Sequence, residues 1–390
     1  MIHAGVLFSA STVHLEHITM ALNCLTPFGI KDDVMIYIDK DGLSFSRQNN
    51  HVITISLFLS KELFISYDYH SGEDLNGYTQ LCLKINHLLD SINVVNRNKD
   101  DVVECTLSYN GEGSPFTLIF EDSLITEKVE YSTYLTKEPD ATGLELSNDE
   151  VVFNCIIKGD VLYSAMQDLK EIGCRECYLY AMTKSDDKNV LALVSRGQLG
   201  LSKILLPSER STLEKLEVID PDTGSRVFDV PVIGFFDFSA FDKVRMSAKI
   251  ASKAMLKKDV HGLLSVNILS DTNDVVVNNP KGPTPATNRN TSLPRDYPGI
   301  VTEIALLERA DFEPTDRKEI ELFMSFNEED RAGTDVYKPR CEQAASKPVP
   351  TSEINDTNLL HIGQAPSRDD NDNAADDSFR PAANDIPLFF

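Results

Sequence analysis

Only four segments of this chain have the apolar spacing of an amphipathic helix, and all four sit in the same surroundings. His14–Leu25, Asn86–Val95, Asp160–Ile172 and Ser239–Ala251 are each preceded by one strand-like run and followed by several. Their first residues lie 72, 74 and 79 positions apart. The runs between them are β-branched or aromatic and bounded by polar turns: Val34–Ile38, Leu43–Arg47, Val52–Phe58, Leu63–Tyr69, Val102–Tyr109, Phe116–Glu121, Val129–Leu135, Phe153–Ile157, Tyr178–Met182 and Val190–Val194. In the third helix Val161, Leu162, Ala165, Leu169 and Ile172 share one face, with Asp160 as N-cap and Gly173 as stop. The chain thus repeats an architecture rather than letters: four strand–helix–strands units, two per domain. Helices this sparse cannot cover both faces of sheets this large. They are expected to lie on one side, with the other face solvated. The fold class is α+β, with mainly antiparallel sheets.

The ends of the pattern are compositional. Residues 311–390 hold 18 acidic against 8 basic side chains and show no sustained period. Past Asn327 this tail reads as disordered, because it has too little apolar surface to offset chain entropy; 311–326 has room for a short helix. Asn278–Pro298, with five prolines, reads as an inserted loop. Seven scattered cysteines fit a reducing compartment. The N-terminus lacks a signal-peptide pattern, and no run approaches 18 apolar residues. The chain reads as soluble and intracellular, with no membrane partner.

Several short patterns carry no chemistry. Cys174-x-x-Cys177 lacks the further ligands of a zinc site, so no metal is expected there. Asp41-Gly42 and Gly111-Glu112-Gly113 are turns. GxxxxGK[ST], HExxH and GxSxG are absent from the sequence, so no cofactor and no catalytic residue is assigned.

Longer stretches resemble a known family. FNCIIKGDVLYSAMQDLKEIG (Phe153–Gly173) and RGQLGLSKILLP (Arg196–Pro207) look like the opening of the second domain of a sliding clamp of the proliferating-cell-nuclear-antigen type, and Phe116–Lys137 like the end of its first. FSASTVHLEHI (Phe8–Ile18), LTPFGIKDDV (Leu25–Val34), GLSFSRQNNHVI (Gly42–Ile53), VVECTLSY (Val102–Tyr109) and the run Asp296–Ile304 resemble more closely one subunit of the checkpoint clamp, the heterotrimeric nine-one-one ring. That subunit is the Rad-one type, called Rad-seventeen in budding yeasts. The resemblance covers about 8–309. It implies clamp domain 1 over 1–136, an interdomain connecting loop over 137–150, clamp domain 2 over 151–310 and a separate tail. It also implies a nuclear, non-enzymatic scaffold with two other clamp subunits as ring partners. A checkpoint clamp loader would place the ring on double-stranded DNA at single-strand/double-strand junctions, and the loaded ring would act on a checkpoint kinase indirectly. Roles in DNA repair and in the meiotic checkpoint go with the family.

The total charge of −24 excludes a DNA-coating protein but not a ring, because contact depends on local charge. Phe238–Lys258, taken as the fourth helix and its extension, sets Lys243, Arg245, Lys249, Lys253, Lys257 and Lys258 against one acid, Asp242. At ~100° per residue Phe241, Val244, Ala248, Ala251 and Met255 form its apolar stripe. Lys243, Arg245, Lys249 and Lys253 are therefore candidate phosphate contacts; a solvated face is the bland alternative. The other helices are poor in cations. The first has His14 and His17 where the family usually has lysine, the second only Arg97 and Lys99 past its end, and the third Lys170. Ile386, Phe389 and Phe390 at the tail's end resemble the apolar anchor of a clamp-binding peptide. Two alternatives remain open: a 3'-5' exonuclease, for which no converging carboxylates are seen, and a homotrimeric replication clamp, which the cation-poor helices argue against. Subunit contacts should run edge to edge, near Val129–Leu135 and Leu199–Leu206.

Overall fold

The computed structural model describes residues 6–29, 31–70, 77–95, 103–122, 124–135, 144–185, 188–197, 200–270 and 299–325. In chain order the first half contains β1 (Phe8–Thr12), α1 (Leu15–Asn23), β2 (Asp33–Ile38), β3 (Gly42–Asn49), β4 (Ile53–Ser60), β5 (Ser66–Tyr69), β6 (Thr79–Lys84), α2 (Ile85–Val95), β7 (Glu104–Tyr109), β8 (Phe116–Glu121) and β9 (Thr126–Tyr131). The second contains β10 (Val151–Lys158), α3 (Gly159–Glu171), β11 (Glu176–Met182), β12 (Val190–Gly197), β13 (Gly200–Leu205), β14 (Leu213–Val218), β15 (Val232–Asp237), α4 (Phe238–Phe241), α5 (Val244–Ile250), β16 (Ala251–Asp259), β17 (Leu263–Ser270) and β18 (Ile300–Leu307). A last helix, α6 (Pro314–Ser325), follows. Among the described residues no helix is long and apolar enough to cross a membrane.

The repeat read from the sequence holds at the level of strand pairing. In the first half the strands are ordered β5-β1-β7-β8-β9 and β4-β3-β2-β6. In the second, β14-β10-β16-β17-β18 and β13-β12-β11-β15 reproduce those two orders. The halves join where β18 adds antiparallel to β4, from Ile300 opposite Leu59 to Leu306 opposite Ile53, giving one nine-stranded sheet. All the described pairings are antiparallel, as the short connections require.

The helices gather on a common side. α1 packs on α2 and α5, and α5 packs on α3. Their apolar faces (Leu15, Ile18 and Leu22 of α1; Leu162, Ala165 and Leu169 of α3; Val244 and Ala248 of α5) enter one core with the inward residues of the strands. Close approach is enforced at the α3–α5 crossing. A Cβ built on Gly159 would stand 2.3 Å from the Ala251 carbonyl oxygen and 2.8 Å from that of Ala248. Gly159→Ala is therefore expected to lower stability by about 1–3 kcal/mol through overpacking, read as a lower denaturant midpoint with an unchanged slope.

Two expectations need correction. First, the outer face is not solvated everywhere. Ile320 and Met324 of α6 are buried on Tyr178, Tyr180, Ala192, Val194, Ile233 and Phe235 of the four-stranded sheet, the face opposite the helix layer. Arg196 ties α6 down through Asp316 at 3.0 Å and Glu319 at 2.5 Å, and Lys203 Nζ donates to the Phe323 carbonyl at 3.0 Å. Second, the fourth helix does not run on to Lys258. It tightens at Asp242–Lys243 between α4 and α5 and ends at Ile250; Ala251 is extended, at φ −77° and ψ 130°. Lys253, Lys257 and Lys258 therefore belong to β16, paired on both sides by β10 and β17. Two full ladders outweigh the helical propensity of the alanines and lysines.

Candidate nucleic-acid interface

The solvent side of the helix layer is the surface on which the sequence placed its cations. α1 carries no Lys or Arg, and its first turn holds Glu16. α3 sets Lys170 against Asp160, Asp168 and Glu171. Only α4–α5 has an excess of cations, with Lys243, Arg245 and Lys249 against Asp242.

These cations are not equally available. Asp242 holds two of them: Arg245 Nε donates to Oδ1 at 2.5 Å, and Lys170 Nζ donates to Oδ2 at 3.2 Å. Arg245 also donates to Gln167 Oε1 at 3.1 Å and is raised above its ordinary pKa, chiefly by its hydrogen bond to Asp242. One carboxylate thus braces α5 against α3 and lowers the positive field of both. Lys243 leans the other way, with Nζ 5.4 Å from the centre of the Phe28 ring, beside Arg47. Burial, and then the Arg47 charge, lower its pKa. Arg47 is fixed by Asp32 and by the Asp33 carbonyl. Lys253 projects from β16 and pairs with Glu214 at 2.8 Å. Lys249 is exposed and has no ion pair among the described residues. Among the described cations of α3, α4 and α5, Lys249 is therefore without an ion pair and two are held in reserve by Asp242. Local spacing does not encode the grip of Asp242 on these cations, because its partners lie three residues and a whole repeat unit away. Arg97 and Lys99 lie outside the described residues, as do Ile386, Phe389, Phe390 and the expected loop 278–298.

The sheet edges form a second candidate surface. β9 ends the first half's five-stranded sheet and β13 ends the second half's four-stranded one. By the internal repeat, β9 is the counterpart of β18, and β13 that of β4. Among the described residues, the junction made once inside the chain is thus left open twice, once at each end. β9 presents Glu127, Lys128 and Glu130 to solvent.

On the face away from the helices, Leu144 and Leu146 pack on the long sheet. Leu144 is buried on Leu263 and Ala305, with Leu146 and Leu307 beside it. Next to this contact is a cavity of about 260 Å³ lined by Thr54, Ser56, Lys257, Ser265, Asn267 and Glu303 among others. Burial pulls Lys257 below its ordinary range and pushes Glu303 above it. The chain's own leucines fill the apolar part of this groove and leave the remainder polar. Cys174 and Cys177 are both buried, and the six described cysteines are free.

Comparison with known proteins gives the same outline. A family model described as "Repair protein Rad1/Rec1/Rad17" matches residues 7–270. The chain is 52% identical to the DNA damage checkpoint control protein RAD17 of Saccharomyces cerevisiae, over 98% of each chain. It is 25% identical to the checkpoint control protein rad1 of Schizosaccharomyces pombe, over 67% of this chain and 81% of that one. Among solved structures it resembles a PCNA2–PCNA3 complex from Sulfolobus tokodaii at a TM-score of 0.55 and 12% identity, covering 78% of this chain and 100% of that one. PCNA from Thermococcus kodakaraensis scores 0.55 at 10% identity, covering 77% and 100%. At such identities these two likenesses speak for the fold alone, that of the DNA sliding clamps.

Proposed function

Because the chain belongs to the Rad1/Rec1/Rad17 repair-protein family, we propose that it is a non-enzymatic subunit of a DNA-damage checkpoint clamp, working in the nucleus in a heterotrimeric ring with two other clamp subunits. A checkpoint clamp loader opens that ring and places it at junctions of single- and double-stranded DNA, where the ring supports activation of a checkpoint kinase. Roles in repair and in the meiotic checkpoint follow from the same ring.

The observation that carries this reading is the unfilled repeat. β9 and β13 are the counterparts of two strands that already pair inside the chain, so the same antiparallel addition can continue from one chain to the next. Continued with a helix layer on one side, it encloses a space lined by helices. Different partner subunits are favoured because only α4–α5 among the helices carries excess positive charge, so the others must supply cations to a shared inner surface. An exonuclease would need carboxylates converging on paired metal ions. The one convergent ligand group among the described residues has a single carboxylate. For the tail, docking of Ile386, Phe389 and Phe390 on another subunit's groove is favoured over this chain's own, whose apolar part Leu144 fills.

Co-purification with two candidate ring subunits, followed by mass measurement, tests the assembly; a stable trimer of this chain alone overturns the heteromeric reading. The inner surface has its own test. Lys249→Ala is expected to weaken DNA binding by the assembled ring and to reduce the salt slope by about 0.9 for each phosphate that is no longer neutralised. Asp242→Asn should do the opposite by releasing Lys170 and Arg245. If both variants match the parent at low and moderate salt, these helices do not face DNA.

A further inference from the structure

The start of α1 brings together two imidazoles and a carboxylate: His14, its N-cap, with Glu16 and His17 of its first turn. His14 Nδ1 lies 3.5 Å from Glu16 Oε1, and His17 Nε2 lies 3.6 Å from the same oxygen. All three ligand atoms fall within 4.8 Å of one another, the only group of its kind among the described residues. A zinc-type ion bonded at about 2.0–2.1 Å to nitrogen and oxygen needs tetrahedral ligand edges of roughly 3.3 Å. Two of the three edges are already within a few tenths of an ångström of that. The backbone fixes the spacing. The His14 N–H donates to Thr12 Oγ1 at 3.0 Å, and the His17 N–H donates to the His14 carbonyl at 3.2 Å. Leu15, Ile18, Ala21 and Leu22 anchor the opposite face of the helix in the core.

The donor set narrows the ion. Magnesium and calcium prefer oxygen ligands throughout, whereas two imidazoles with one carboxylate suit zinc or a neighbouring transition ion. A helix N-terminus disfavours a cation; the Glu16 carboxylate counters this. We infer that His14, Glu16 and His17 bind a single zinc-class divalent ion, leaving one coordination position open on the solvent side of the helix layer. A DNA phosphate oxygen can fill that position, so the ion supplies the positive charge that α1 lacks. The phosphate part rests on the clamp reading above; the ion site does not.

The test uses the full chain, stripped of metal and titrated with Zn²⁺ against a chromophoric chelator, with Co²⁺ as a spectroscopic probe. One equivalent per chain and a tetrahedral Co²⁺ spectrum are expected. His14→Ala and His17→Ala should each weaken binding by more than about tenfold without lowering the melting temperature of the metal-free chain. No saturable binding, or equal binding by the His14→Ala/His17→Ala variant, overturns the site; so does binding that disappears with Cys174→Ser/Cys177→Ser instead. DNA affinity of the assembled ring is then compared with Zn²⁺ and with chelator. A several-fold gain with Zn²⁺ that His17→Ala removes is the expected result. Equal affinity in the two conditions overturns the phosphate role and leaves the ion site standing. A ring that binds no DNA in either condition sinks the clamp reading and leaves the titration result intact.

Discussion

Proline placed in β9 is expected to leave the subunit folded and the ring unmade. Glu127 and Lys128 are adjacent and exposed, opposite Phe120 and Ile119 of β8. Along a strand, neighbouring N–H groups point to opposite sides, so one of these two residues donates toward β8 and the other outward. Proline removes the N–H and is tolerated on an edge strand only where that group faces away from the ladder. Of Glu127→Pro and Lys128→Pro, one should therefore melt like the parent and the other should lose stability. The variant that melts like the parent should join its ring partner roughly 30- to 150-fold more weakly, the value of about 2–3 kcal/mol for a partner carbonyl left unpaired. The side-chain changes contribute little, since the Lys128–Glu130 pair is exposed. Pull-down of the two partners with each variant, beside its melting curve, decides the matter. Normal assembly by both variants would exclude β9 as a subunit edge.

Glu308→Ala is expected to be strongly destabilising. Glu308 Oε2 lies 2.9 Å from Lys258 Nζ, and its Oε1 accepts the Phe235 N–H at 2.9 Å. Both side chains are nearly enclosed, with 8% of Lys258 and 14% of Glu308 exposed. Removing the carboxylate strands a buried ammonium and a buried strand N–H together, a loss of about 3–5 kcal/mol. Lys258→Met is milder, because Glu308 keeps its backbone partner. Lys258→Met combined with Glu308→Gln should recover much of the loss, since the charge is then gone and the amide oxygen can still accept from Phe235. Denaturant unfolding of the three variants checks the order. A single-variant loss below about 1 kcal/mol would mean that solvent reaches the pair.

The strand–helix–strands repeat was legible because period-two and period-3.6 patterns alternate cleanly and sparsely along the chain. Its edges were legible too: the expected interfaces Val129–Leu135 and Leu199–Leu206 overlap β9 and β13. The covered outer face could have been read from Glu176–Met182. There Cys177, Leu179 and Ala181 enter the main core, while Tyr178 and Tyr180 pack under α6. A strand apolar in both phases is buried on both sides, and the short helix allowed over 311–326 was the element available to cover it. The basic segment misled for the opposite reason. Lys249 and Lys253 are four apart and suit one helix face, but pairing of β16 with two neighbours decides the backbone there, and pairing partners are remote in sequence. The role of Asp242 is likewise a fact of packing between repeat units, which no local spacing encodes.

The internal junction also decides where a ring built from this chain can break. Within each chain the halves are fused on the core face along Ile53, Ile55, Leu57 and Leu59 against Ile300, Thr302, Ile304 and Leu306, while the other face of the same seam sets Thr54 and Ser56 opposite Ala305 and Glu303. The seam between chains would instead run along a strand carrying Glu127, Lys128 and Glu130. Oily seams ignore ionic strength, whereas charged ones respond to it. On the clamp reading, a gate for admitting DNA would lie at the outer joints, where exposed charges make it responsive to salt.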